Sequence, residues 1–152
     1  MLVVRRAEPR DVAAVTAFQR EAYDGNRAVL GVEPLPLLAD YQEVIAEKEC
    51  WLAETHHRLD GVLILEIDGE ALLIWSIAVA PKARETGLGS RLLAYAEKRA
   101  HDLGLTQLTL YTGEKLGRNI TWYTRHGFRI ARLEALPDRT IVHMNKAVSR
   151  VD

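Results

Sequence analysis

Cysteine is almost absent: Cys50 stands alone among 152 residues. A lone cysteine excludes an intramolecular disulfide framework and suits a reducing, cytoplasmic setting. Excess charge of one sign is missing too. The formal net charge is −1, so no global basic field points to nucleic acid or an anionic membrane as partner. No hydrophobic run approaches the length of a membrane span, and the start, Met-Leu-Val-Val-Arg-Arg, has no signal-peptide pattern. Low complexity and internal repeats are lacking. What remains is 48% hydrophobic and 27% charged, the composition of one ordinary globular domain covering residues 1–152.

The most informative stretch runs from Ile74 to Tyr95. Leu72 to Val79 is apolar apart from Trp75-Ser76, as expected of a buried strand. Pro81 cannot donate to a sheet ladder and ends it. Arg84-Glu-Thr-Gly87-Leu-Gly89-Ser90 then opens a helix whose apolar residues Leu88, Leu92, Leu93 and Ala96 recur at helical spacing. A strand, a glycine turn and a helix N-terminus together form an anion site. The first helical N–H groups lack intrahelical partners, and the macrodipole adds roughly half a positive charge. Gly87 and Gly89 let the backbone turn sharply and come close to phosphate oxygens. A glycine connection used only for tight packing is the alternative, and Gly-x-Gly by itself does not decide between them.

The remaining pattern predicts a strand at Leu2–Arg6 and a helix from Pro9 that stops near Asp24-Gly25-Asn26. Val32-Glu-Pro-Leu-Pro is extended by its prolines, and a second helix covers Leu37 to Lys48. Strands follow at Trp51–Thr55 and Val62–Ile67, separated by a turn at His56–Gly61. Asp68-Gly69 is a hairpin signal leading into Leu72–Val79. A helix from Leu88 to Leu103 stops at Gly104, before a strand at Leu105–Tyr111. A short helix over Gly117–His126 and strands at Phe128–Leu133 and Thr140–Lys146 complete the chain. The crossover from Leu72–Val79 through a helix to Leu105–Tyr111 requires a parallel pair. The fold class is therefore α/β: a mixed, mostly antiparallel sheet of about seven strands with about four helices on its two faces.

Two motifs carry a family resemblance. Val79-Ala-Pro followed by Arg84-x-x-Gly87-x-Gly89 resembles the acyl-coenzyme A pyrophosphate loop of the GNAT N-acetyltransferase superfamily. Asn119-Ile-Thr-Trp-Tyr123-Thr-Arg-His-Gly127-Phe128 is similar to that family's Asn…Tyr…Gly-Phe segment, and His143-Met-x-Lys146 to its last strand. The order and separation of these motifs match over almost the whole chain. A Rossmann dinucleotide site fits worse, because Leu92 stands where a third glycine is needed.

The resemblance implies a central parallel pair that splays apart and acetyl-CoA as cosubstrate, with no metal. It implies that the pantetheine arm lies along Ile77, Ala78 and Val79, and that the pyrophosphate meets the loop of Arg84, Glu85, Thr86, Gly87, Leu88, Gly89 and Ser90. Glu85 departs from the common form, which has glycine there, and a carboxylate beside a pyrophosphate repels it. Asn119 would bond the pantetheine amides. Tyr123 would protonate the departing thiolate: a phenol of pKa about 10 can donate to a thiolate whose conjugate pKa is about 8.5. Relatives often carry a glutamate near Trp75 or Ser76 as general base, and this chain has none, leaving Glu66 as the catalytic candidate ahead of Glu54 and Glu114. The N-terminal helices would wall the acceptor site, a small-molecule or peptide amine. Their Tyr23, Asp24, Asn26, Glu33, Asp40, Tyr41 and Glu43 suggest an acidic mouth suited to a cationic amine. Pairing of the final strands across a homodimer is a further implication. A non-catalytic acyl-CoA-binding module is the second functional reading, kept open by the missing strand carboxylate.

Overall fold

In the computed structural model, which describes residues 1–148, the elements are β1 (Leu2–Arg6), α1 (Val12–Leu30), α2 (Tyr41–Glu47), β2 (Glu49–Thr55), β3 (Arg58–Asp68), β4 (Ala71–Val79), α3 (Leu88–Asp102), β5 (Gln107–Gly113), α4 (Gly117–Arg125), β6 (Arg129–Ala135) and β7 (Thr140–Ala147). They form a seven-stranded sheet in the order β1-β2-β3-β4-β5-β7-β6. Every neighbouring pair is antiparallel except β4–β5. No helix among the described residues is long and apolar enough to cross a membrane.

Each face of the sheet has its own core. On one, α3 lays Leu88, Leu92, Leu93, Ala96 and Ala100 over Leu63, Leu65, Leu72, Ile74 and Leu108. On the other, Val15 of α1 and Tyr41 and Val44 of α2 pack with Leu52, Val62 and Ile64. A fully buried leucine is worth roughly 2 kcal/mol over an exposed one, so the two apolar faces hold both helical layers to the sheet.

Two features of β4 set up the site. Its parallel pairing with β5 covers only Ala71–Leu73 against Gln107–Thr109, so the strands diverge from Ile74 onward. Opposite β3, Leu65 pairs with Ile74 and Ile64 with Ser76, leaving Trp75 as an extra bulged residue. Bulges re-aim side chains. Trp75 and Ser76 consequently both face the α1–α2 layer: Trp75 stacks edge-on with Tyr41 at 6.1 Å, and Ser76 bonds Gln19.

Several boundaries differ from the sequence expectation. Helix α1 runs straight through Asp24-Gly25-Asn26 and ends at Gly31, whose φ is 74°. An exposed helical glycine costs only about 1 kcal/mol, and the last turn recovers contacts there, with Leu30 packing onto Gly113. Helix α2 starts at Tyr41, where the Asp40 side chain accepts from the Gln42 N–H at 2.9 Å. Leu35–Leu38 before it is a 3₁₀ turn, not an extended segment or helix. His56 and His57, at φ 51° and 64°, are by themselves the hairpin turn between β2 and β3, so β3 begins at Arg58 and not after Gly61. The left-handed pair matches the twist of the flanking strands.

Candidate active site

The divergence of β4 and β5 opens a cavity of about 210 Å³. Ile74–Ile77 and Val79 of β4 form one wall and Leu110–Gly113 of β5 the other. Tyr23 and Asn26 of α1 reach in from one side, and Asn119, Trp122 and Tyr123 of α4 from the other. It adjoins a wider recess of about 880 Å³ that shares Ile77, Val79 and Asn119 and adds Ala78, Arg84, Lys115 and Arg118. Three cations thus line the recess, an environment suited to phosphate, while Gly89 at the start of α3 lines the adjoining cavity.

The loop into α3 is shaped by two left-handed residues. Gly87, the N-cap, has φ 85°. Glu85 has φ 67°, a region that L side chains enter at a cost. That conformation explains why glycine suits this position, and the Glu85 side chain is exposed. The Thr86 N–H and hydroxyl both turn back to the Ala83 carbonyl. The N–H groups of the first α3 turn, Leu88 to Ser90, point out of the helix end without intrahelical acceptors. Leu88 itself is core. Ser90 Oγ lies 2.9 Å from His126 Nε2, whose Nδ1 is 2.7 Å from the Trp122 carbonyl, tying α3 to α4. We expect Glu85→Gly to lower the dissociation constant for coenzyme A about two- to fivefold at low salt, the gain fading at high ionic strength. Calorimetry at two salt concentrations checks it; no change at low salt would sink the repulsion argument.

Tyr123 borders the cavity with its ring held edge-on between Trp122 at 5.1 Å and Phe128 at 5.7 Å. Burial pushes its phenol well above 10, so it stays protonated. Its hydroxyl has no partner among the described residues. Tyr23 and Tyr111 are raised by burial in the same way. The Tyr23 hydroxyl lies 2.8 Å from Ser76 Oγ and 3.4 Å from the Ile77 carbonyl oxygen. Ser76 is fixed from its other side by Gln19 Nε2 at 2.9 Å.

The carboxylates expected from sequence lie elsewhere. Glu66 does not line the cavity, and Lys48 Nζ holds it at 2.7 Å. Glu54 is paired with Arg5, and Glu114 is exposed. The acidic mouth is not formed. Asp24 and Glu33 are bound by Arg27 on the surface, Asp40 caps α2, and Glu43 is exposed. Tyr23 and Asn26 do line the cavity, while Tyr41 is buried beneath Trp75. Sequence reasoning passed over Trp75, Tyr111, Trp122 and Arg139 as lining residues. Trp122 had a signal, one residue before Tyr123 in a recognised motif; Arg139, beyond a Pro-Asp turn, had none.

The GNAT acetyltransferase domain model matches residues 46–130, more than half of the chain, and the chain belongs to that family. It is 36% identical over 69 residues to the amino-acid acetyltransferase of Mannheimia succiniciproducens, a match covering 45% of this chain and 15% of that protein. It is 29% identical over 106 residues to the N-acetyltransferase YvbK of Bacillus subtilis, covering 66% of this chain and 68% of the relative. Among solved structures, the PaiA N-acetyltransferase of Thermoplasma acidophilum in complex with coenzyme A superposes with a TM-score of 0.80 at 18% identity, over 97% of this chain and 99% of that one. The Neisseria gonorrhoeae N-acetylglutamate synthase complexed with coenzyme A and N-acetylglutamate superposes at 0.76 and 22% identity, over 99% of this chain and 36% of that one. These likenesses establish the fold.

Proposed function

We propose that the protein transfers the acetyl group of acetyl-CoA to a primary amine by direct attack in a ternary complex. The observation that carries the reading is the continuity of the two spaces. A recess lined by Arg84, Lys115 and Arg118 shares Ile77, Val79 and Asn119 with a cavity lined by Gly89 of α3 and by Tyr123. The exposed edge of β4 is long enough to bond an extended pantetheine, with Asn119 at the junction. In the reaction the amine lone pair attacks the thioester carbonyl carbon. A C–N bond forms, the C–S bond breaks, and the thiolate takes the Tyr123 proton. The nitrogen must shed its own proton. Because no carboxylate lines the cavity among the described residues, a role for Glu66 runs through water or Tyr111.

The carboxylate-free lining also favours a second reading, a module that binds acyl-CoA without turning it over. Calorimetry with coenzyme A, followed by thiol release from acetyl-CoA with a panel of amines, tests both. We expect binding at micromolar levels and release dependent on the amine. Binding without release supports the second reading, and no binding at millimolar coenzyme removes both.

A further inference from the structure

The cavity is electrostatically one-sided. Among the described residues Arg139 is the single formally charged side chain in its lining. It leads into β7 from the turn after β6, and its side chain is only 6% exposed, whereas its partner Asp138 is 54% exposed. Nε and Nη2 donate to the two Asp138 oxygens at 3.1 and 3.0 Å. That occupies one edge of the guanidinium. No acceptor among the described residues meets Nη1, and Arg139 lines the cavity, so one edge of the fork remains open to an entering ligand. A desolvated guanidinium is expensive, and a carboxylate that is itself largely hydrated offsets little of that cost. A planar anion entering the cavity would complete the arrangement, since the free edge has the two-pronged geometry that matches a carboxylate.

We propose that the acceptor is an amine that also carries a carboxylate, as an amino acid does, and that Arg139 binds this carboxylate while Asp138 positions the guanidinium. The inference rests on the acetyltransferase reading and narrows it to one substrate class. It reverses the cationic acceptor that the acidic residues of the N-terminal helices suggest, because those acids are bound or exposed outside the cavity. It also bears on the missing base. A guanidinium close to the acceptor disfavours the ammonium form, raising the fraction of neutral nucleophile in a space without a lining carboxylate.

The test compares amino acids with their decarboxylated partners: phenylalanine with phenethylamine, tyrosine with tyramine, leucine with 3-methylbutylamine, histidine with histamine. Thiol release from acetyl-CoA is followed for each, with O-phosphoethanolamine as a non-carboxylate anion. We expect kcat/KM for at least one acid to exceed that of its amine by about tenfold or more, the size of a charge-assisted contact. Arg139→Gln should shrink that ratio to within about threefold, chiefly through KM, and Arg139→Lys should retain part of it. Coenzyme A affinity measured alongside shows that a variant is folded. If Arg139→Gln fails that check, the ratio in Arg139→Lys decides. Amines turned over as fast as acids, phosphoethanolamine preferred to every acid, no acid accepted, or an unchanged ratio in the variants each overturn the carboxylate assignment. All of these leave the acetyltransferase reading standing where any amine releases thiol; a protein that ignores coenzyme A fails at the earlier step.

Discussion

Replacing Tyr123 by phenylalanine should lower kcat by at least about tenfold while the coenzyme A dissociation constant stays near its wild-type value. The phenylalanine ring keeps the edge-on contacts with Trp122 and Phe128, so the wall of the cavity is preserved and only the hydroxyl is lost. That hydroxyl is held protonated by burial and is unpartnered within the described protein, which leaves it available to a departing thiolate. General acids contribute about 10²- to 10⁴-fold. A thiolate of conjugate pKa about 8.5 leaves more readily than an alkoxide, so an effect at or below the low end of that range is expected, tenfold being the floor. A tenfold loss corresponds to about 1.4 kcal/mol of barrier. Single-turnover and steady-state rates, measured from about pH 6.5 to about pH 10.5 (about two units either side of the thiol), should show the deficit throughout. Unchanged turnover would remove Tyr123 from the chemistry.

Gly89→Val should raise the coenzyme A dissociation constant at least about tenfold. A Cβ at this position would stand 3.0 Å from Trp122 Cζ2 and 3.4 Å from its Cη2. The two further methyl groups of valine cannot fit without moving that indole, and overpacking of this kind costs roughly 1–3 kcal/mol. Trp122 cannot move alone, because it stacks on His126 at 4.4 Å and on Tyr123 at 5.1 Å. The displacement would therefore shift the first turn of α3 and the edge of the cavity together. Gly89→Ala, which places one methyl at the limit of tolerable contact, should lose only about two- to threefold. Calorimetry on both, with circular dichroism to confirm the fold, decides the point. Equal affinities in wild type and valine variant would mean that the glycine serves neither packing nor the phosphate approach.

The gradation refines what the glycines do. Sequence reasoning treated Gly87 and Gly89 as a pair, either a sharp turn open to phosphate or glycines for tight packing. The structure separates them: Gly87 supplies a left-handed N-cap at φ 85°, and Gly89 makes room for Trp122. Glu85 shares the left-handed geometry without being glycine.

The elements that were legible share a property: their signals are local. The alternation of β strands, the Asp68-Gly69 turn, the apolar stripe of α3 and its stop at Gly104 all lie within a few residues of what they determine. The errors fall where distant contacts outweigh local preference. Gly25 reads as a helix breaker, yet α1 continues through it because Leu30 finds Gly113 on a strand more than eighty residues later. The acids of the N-terminal helices read as an acidic mouth, yet Arg27 holds Asp24 and Glu33 on the surface.

By itself, then, the amino-acid sequence determined the order of strands and helices, the parallel crossover and the glycine turn into α3, because each depends on backbone preferences and periodicity over short spans. The tertiary structure alone decided which charges face the cavity. Asp24, Glu33 and Glu66 are drawn off by Arg27 and Lys48, while Arg139 is carried inward at the start of β7. Ion pairing and burial depend on neighbours remote in the chain, and no local pattern encodes them.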